Sequence, residues 1–190
     1  MKARHNPFRA QRLDALRFRP QGTTWPRLMD RLAALGMRGA VVGPDGSGKT
    51  ALLEALAPRL EARGFRVHRV GLDRQDRWPW RKVRRQLPRR LDRGDAVLLD
   101  GADLLPRLGW RALERRTRRA GGLVVAAHRP GLLPTLLECT TSPELLAELV
   151  AELAPADAPS LRPTVDRLYR QHGGNLRAAL RGLYDLYAAK

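Results

Sequence analysis

Cysteine is almost missing from this chain: Cys139 is its one example. That excludes a disulfide framework and a cysteine-built zinc site, and a reducing, cytoplasmic setting is the simplest expectation. Long apolar runs are also missing, so neither a membrane span nor a signal-peptide core is expected. Residues 1–19 are Arg-rich and nearly free of acids, but they lack Ser and contain Pro7, which argues against a transit peptide. Lysine is rare too. Only Lys2, Lys49, Lys82 and Lys190 stand among 36 cations, against 19 acids. A field of +17 attracts polyanions such as nucleic acid, ribosomes, anionic membranes or nucleotides. So skewed an Arg:Lys ratio, however, points to codon usage as well as to binding, and the charge is discounted as a guide to a nucleic-acid partner. No internal repeat is present.

The 190 residues suffice for one medium domain with a small helical appendage. The first 35 residues read as a basic arm broken by Pro7, Pro20 and Pro26, with a short helix at 26–35. Strands are expected at 39–42, 65–72, 96–99, 123–127 and 136–140. Helices are expected at 50–63, 81–91 and 110–119, from Ser142 onward, at 161–171 and at 175–189. Pro58 predicts a kink or an early end in the helix at 50–63. Ala154–Pro159, with two prolines and no periodicity, reads as a linker. Alternating strands and helices imply a parallel sheet covered on both faces. The expected division is 1–36, 37–153 and 154–190.

One motif carries chemistry. Gly43, Pro44, Asp45, Gly46, Ser47, Gly48, Lys49 and Thr50 spell GPDGSGKT between a strand and a helix that continues through Ala51. Glycines let backbone N–H groups converge on phosphate oxygens, and the helix N-terminus adds positive potential. Lys49 would neutralise the outer phosphates of ATP, and the Thr50 hydroxyl would hold magnesium. With this chain's own residue frequencies the pattern is expected by chance about 0.002 times. Where Arg is eight times commoner than Lys, the position that needs Lys has Lys. A carboxylate at the tip of a neighbouring strand should complete the magnesium site, and Asp100, closing Val97-Leu98-Leu99, supplies it.

GPDGSGKT at 43–50, VLLDGAD at 97–103, VVAAH at 124–128 and GGNLRAAL at 173–180 together resemble the P-loop ATPases of the AAA+ type and their close relatives. The resemblance spans about residues 37–190, and the P-loop is its specific part. It implies an α/β P-loop NTPase fold, with a mainly parallel five-stranded sheet, helices on both faces and a small C-terminal helical lid. The strand bearing a polar sensor would lie between the P-loop strand and the Walker B strand. His128 then takes the sensor position, and Arg177 resembles the second sensor. The sequence departs from the family after Asp100: where these ATPases carry a water-polarising Glu, Gly101 stands, leaving Asp103 or Asp45 as substitutes.

Two other readings stay open. GPDGSGKT with GFRVHRVGLDR also looks like a thymidylate-kinase-type phosphotransferase, for which Asp45 and Arg74 fit loosely. The missing Glu also suits a module that binds ATP without hydrolysing it. The insertion at 73–94 is strongly basic and contains Trp78 and Trp80. It is either a nucleic-acid surface or a solvated helix whose indoles pack on the core. A protein partner or a homo-oligomer is equally compatible.

Overall fold

The computed structural model describes residues 6–14, 16 and 18–189. Strands β1 (Arg38–Val42), β2 (Arg66–Gly71), β3 (Asp95–Asp100), β4 (Gly122–Ala127) and β5 (Thr135–Glu138) form one sheet, in the order β2-β3-β4-β1-β5. Every pairing is parallel. The helices are α1 (Ala10–Asp14), α2 (Trp25–Ala34), α3 (Lys49–Glu61), α4 (Pro79–Gln86), α5 (Arg107–Arg116), α6 (Pro143–Leu153), α7 (Ala158–Gln171) and α8 (Leu176–Ala188). The fold is the expected α/β one. Among the described residues, no helix is long and apolar enough to cross a membrane.

By contact the chain divides into two compact units. Phe18–Gly43 and Lys49–Cys139 make the sheet unit. Pro44–Gly48, the chain from Thr140 onward and the described residues before Phe18 make the helical unit.

In the sheet unit, the strand period of two sends alternate side chains to opposite faces. Val41, Ala96, Leu98, Val124 and Ala126 join Leu28 and Leu32 of α2 and Leu52, Leu56 and Leu60 of α3 in one core. Val42, Val97, Leu99, Leu123 and Val125 join Val83 of α4 and Leu113 of α5 in the other. Both faces of β1, β3 and β4 are thus covered, as continuous apolar runs in a parallel sheet require. Pro58 does not stop α3, which runs on to Glu61. α4 spans Pro79–Gln86 rather than 81–91, because Pro88 follows too closely for the helix to continue.

The helical unit has its own core. Leu146, Val150 and Leu153 of α6, Val165 and Leu168 of α7, and Leu176, Leu180, Leu183 and Tyr187 of α8 pack together. α6 therefore packs with the helices after it, in the unit that takes in the chain from Thr140 onward. The expected linker shortens to 154–157, since Pro159 sits in the first turn of α7, where a missing N–H costs nothing. The chain before Phe18 is not a free basic arm where it is described. Phe8 is buried edge-on against Tyr187, with ring centroids 5.2 Å apart. Asn6 Nδ2 donates to the Tyr184 carbonyl at 2.8 Å. The Tyr187 hydroxyl donates to Asp157 Oδ2 at 2.7 Å, and burial pushes its pKa up to about 12.

One buried acid ties the entry of β2 to that of β3. Asp95, with a side chain 5% exposed, accepts from Arg66 Nε and faces His68 Nε2, both at 2.9 Å. Its other oxygen accepts from the Asp92 amide at 2.7 Å. The Arg66 guanidinium holds the Asp95 carboxyl well below the usual carboxylate range. Its contribution to stability is present above the unfolded-state pKa of about 4 and is lost as pH falls below it. Asp95→Ala should cost about 1–3 kcal/mol in urea unfolding at pH 7. Asp95→Asn should flatten the loss of stability below about pH 4 relative to the native chain.

Candidate nucleotide site

Ligands of open parallel sheets bind beyond the carboxyl ends of the strands. At that edge β1 ends on Val42, the loop Gly43–Gly48 follows, and α3 starts at Lys49. Lys49 Nζ donates to the Gly43 carbonyl at 2.7 Å, which folds the ammonium back over the start of the loop. On the neighbouring side β3 ends on Asp100, and Thr50 Oγ1 donates to Asp100 Oδ2 at 2.6 Å. The two residues read as a metal pair from sequence are therefore in direct contact. Cys139, just past β5, is buried, and its thiol is pushed up to about 11 by burial, so it offers no nucleophile.

The loop's middle, Pro44–Gly48, packs in the helical unit. Gly46 has a left-handed φ of 73°. A side chain there would collide with the Asn175 amide. Asn175 also caps α8, its Oδ1 accepting from the Ala178 amide at 3.0 Å. The capping role is legible in sequence. The contact with the phosphate loop is not, because nothing in the spacing of residues 46 and 175 announces it. Ser47 is 5% exposed, and its Oγ has no hydrogen-bond partner. A buried, unpartnered hydroxyl inside a glycine-rich loop is what a bound anion would satisfy. Asp45 lies on the exposed outer turn. Arg177 occupies the exposed first turn of α8, where the helix dipole opposes a cation.

After β3 the chain turns through Gly101, at φ 75°, into a single 3-10 turn, Ala102–Leu104. A Cβ at Gly101 would lie 2.7 Å from the Leu72 carbonyl oxygen. A side chain at this position would thus force the Leu72 backbone to shift. Asp103, in that turn, meets His128, the first residue after β4: Nδ1 and Oδ2 are 2.6 Å apart. The side chains are 36% exposed at His128 and 34% at Asp103. Two candidates read separately from sequence form one pair.

The basic insertion resolves into two parts. Trp80 packs against the core, while Trp78 is 58% exposed, with the Arg81 guanidinium 5.0 Å from its ring. Lys82 is committed to Asp76 at 2.8 Å and holds that carboxyl below its ordinary value. Arg116 of α5 donates to the Leu87 and Pro88 carbonyls at 2.9 and 2.6 Å, which joins the end of α5 to the end of α4. Arg81, Arg84, Arg85, Arg89 and Arg90 remain exposed.

No protein-family model matches the chain. Over 89 residues it is 29% identical to a probable adenylyl-sulfate kinase of Archaeoglobus fulgidus, a stretch covering 40% of this chain and 57% of that protein. Its fold is similar to the crystal structure of a DNA replication initiation factor, with a TM-score of 0.54 at 16% identity, over 86% of this chain and 59% of that one. The chain therefore spans less than two thirds of either protein. These likenesses, with the sheet and the loop, identify the fold as that of a P-loop NTPase.

The geometry at Gly101 has a measurable consequence. Gly101→Ala should lower stability by about 2 kcal/mol, from the left-handed backbone and the Leu72 contact together. Gly101→Glu should destabilise at least as much and should not raise ATP turnover. Thermal melts beside a phosphate-release assay check both.

Proposed function

We propose that this chain is a magnesium-dependent ATP-binding protein that hydrolyses ATP, as a switch or remodeller. The observation that carries the reading is the Thr50–Asp100 contact at the base of a glycine-rich loop with a buried, unpartnered Ser47 hydroxyl. A hydroxyl and a carboxylate are hard oxygen donors, which fit magnesium. Among the described residues, no three His, Cys, Asp or Glu side chains cluster to form a metal cage. Magnesium is commonly held by one or two protein oxygens together with substrate phosphates and water. Bound there, magnesium would screen the charge of the phosphates.

The chain's own residues have separable roles in this reading. Backbone N–H groups of the loop bind phosphate oxygens, and the Ser47 hydroxyl is placed to add one donor. Lys49 exchanges the Gly43 carbonyl for phosphate oxygens. Thr50 and Asp100 fix the position of the metal. Arg177 senses the outer phosphate, its unfavourable place at a helix N-terminus being offset when an anion binds. The exposed cations of α4 and the loop after it, with the Trp78 indole, provide a surface for single-stranded nucleic acid.

The phosphotransferase reading keeps one specific support, the 29% identity with the adenylyl-sulfate kinase homologue. Against it, β4 lies between β1 and β3 and is followed directly by polar His128, as the ATPase resemblance implies. The assay that separates the readings measures ATP consumption with and without single-stranded DNA or RNA, beside phosphate transfer to adenylyl sulfate and to nucleoside monophosphates. Turnover without an acceptor supports the ATPase. Acceptor-dependent transfer supports the kinase. Binding without either leaves a non-hydrolysing module.

Lys49→Ala should weaken binding of a non-hydrolysable ATP analogue roughly 10- to 100-fold by titration calorimetry, the range expected when a charge-assisted hydrogen bond is removed. Wild-type affinity in that variant would defeat the reading. Reversing Arg81, Arg84 and Arg85 to Glu should weaken binding of a single-stranded oligonucleotide. It should also reduce the salt slope by roughly one for each phosphate that is no longer neutralised.

A further inference from the structure

The ATPase reading leaves a gap. No side chain follows Asp100 to orient the attacking water, and Gly101 cannot carry one without striking the Leu72 carbonyl. We infer that the hydrogen-bonded pair Asp103–His128 fills that role, with Asp103 as the water-orienting carboxylate and His128 as its positioning residue. The inference rests on the ATPase reading and deepens it.

The placement of Asp103 is imposed by its neighbours. Ala102 is fully buried and Leu105 nearly so, both in the core that α4 and α5 cover. The turn between them is closed by the Leu104 amide on the Gly101 carbonyl at 3.0 Å and the Leu105 amide on the Ala102 carbonyl at 3.1 Å. With both flanks anchored, Asp103 has little freedom to wander. His128 follows β4, whose register sets Val42 opposite Ala127 and Leu99 opposite Val125. The pair therefore stands at the same edge of the sheet unit as Gly43 and Asp100.

The chemistry follows from the contact. A carboxylate that takes a proton from water must itself be ionised and can only accept, so in this arrangement Nδ1 is the donor to Asp103 Oδ2 across their contact. That holds the carboxyl plane and leaves Oδ1 to accept a proton from water. In the step, the water oxygen bonds to the γ-phosphorus as the bond from that phosphorus to the β–γ bridging oxygen breaks. The bridging electron pair leaves on ADP, and one water proton passes to Asp103 and from it to inorganic phosphate or solvent. No other reactant is needed. A carboxylate aligned by a second group is a recurrent arrangement for proton transfer, contributing typically 10²–10⁴-fold.

The test is single-turnover ATP hydrolysis by the full chain, beside calorimetric affinity for a non-hydrolysable analogue and the melting temperature. Asp103→Asn should cut the rate about 100-fold or more with affinity within about twofold of wild type. His128→Ala should slow hydrolysis roughly tenfold, while His128→Asn, whose amide nitrogen can replace Nδ1, should recover most of it. The double variant Asp103→Asn/His128→Ala should be no slower than Asp103→Asn alone, since the two act as a unit. Full activity in Asp103→Asn, losses that multiply in the double variant, or a lower melting temperature with unchanged turnover would overturn the pair while leaving the ATPase intact. A wild-type chain that binds ATP and never hydrolyses it would overturn both. Should Asp103→Asn melt early, the contrast between His128→Ala and His128→Asn still decides.

Discussion

Strands buried on both faces have no water to satisfy their peptide groups, so every N–H and C=O of β4 must find its partner in β1 or β3. That requirement leaves little freedom of register. A slip of one residue would turn Val124 and Ala126 into the space now filled by Leu123 and Val125, and the two cores would exchange occupants. Parallel pairing at this register brings three strand ends to one edge: Val42 before Gly43, Asp100 itself, and Ala127 before His128. The polar groups of the site are neighbours because the apolar residues beneath them permit no other arrangement.

The parts legible in the sequence were those governed by local spacing. The P-loop, the α/β alternation and the cap at Asn175 follow from short-range chemistry, and each lies where the pattern put it. Thr50 and Asp100, 50 residues apart, were read together because a magnesium site specifies its ligands in advance, and the fold brings the two side chains into contact. The parts that escaped depend on long-range packing. Phe8 gives no periodic signal, yet its burial against Tyr187 gathers the described chain before Phe18 into the helical unit. Asp103 and His128 were visible singly, and only the β3–β4 pairing unites them. Two prolines misled: Pro159 sits within a helix rather than a linker, whereas Pro88 helps end a helix expected to run past it.

Composition proved a blunt guide to the arginines. Some are structural: Arg66 locks Asp95, Arg116 binds two carbonyls, and Arg38 donates to the Thr117 carbonyl at 3.1 Å, with burial lowering its pKa. Others face solvent around Trp78. A count of charges cannot separate these classes, because the difference lies in which carbonyls and carboxylates the fold brings within reach.

Gly101 constrains which substitutions this chain can accept as well as its chemistry. For two of glycine's four codons a single base change gives glutamate, so an acid at this position can lie one mutational step away. The step is closed, because the left-handed backbone and the Leu72 carbonyl would have to move first. Opening it requires the chain at the exits of both β2 and β3 to shift. Any redesign of this edge is therefore more readily accommodated at Asp103 and its surroundings than at position 101.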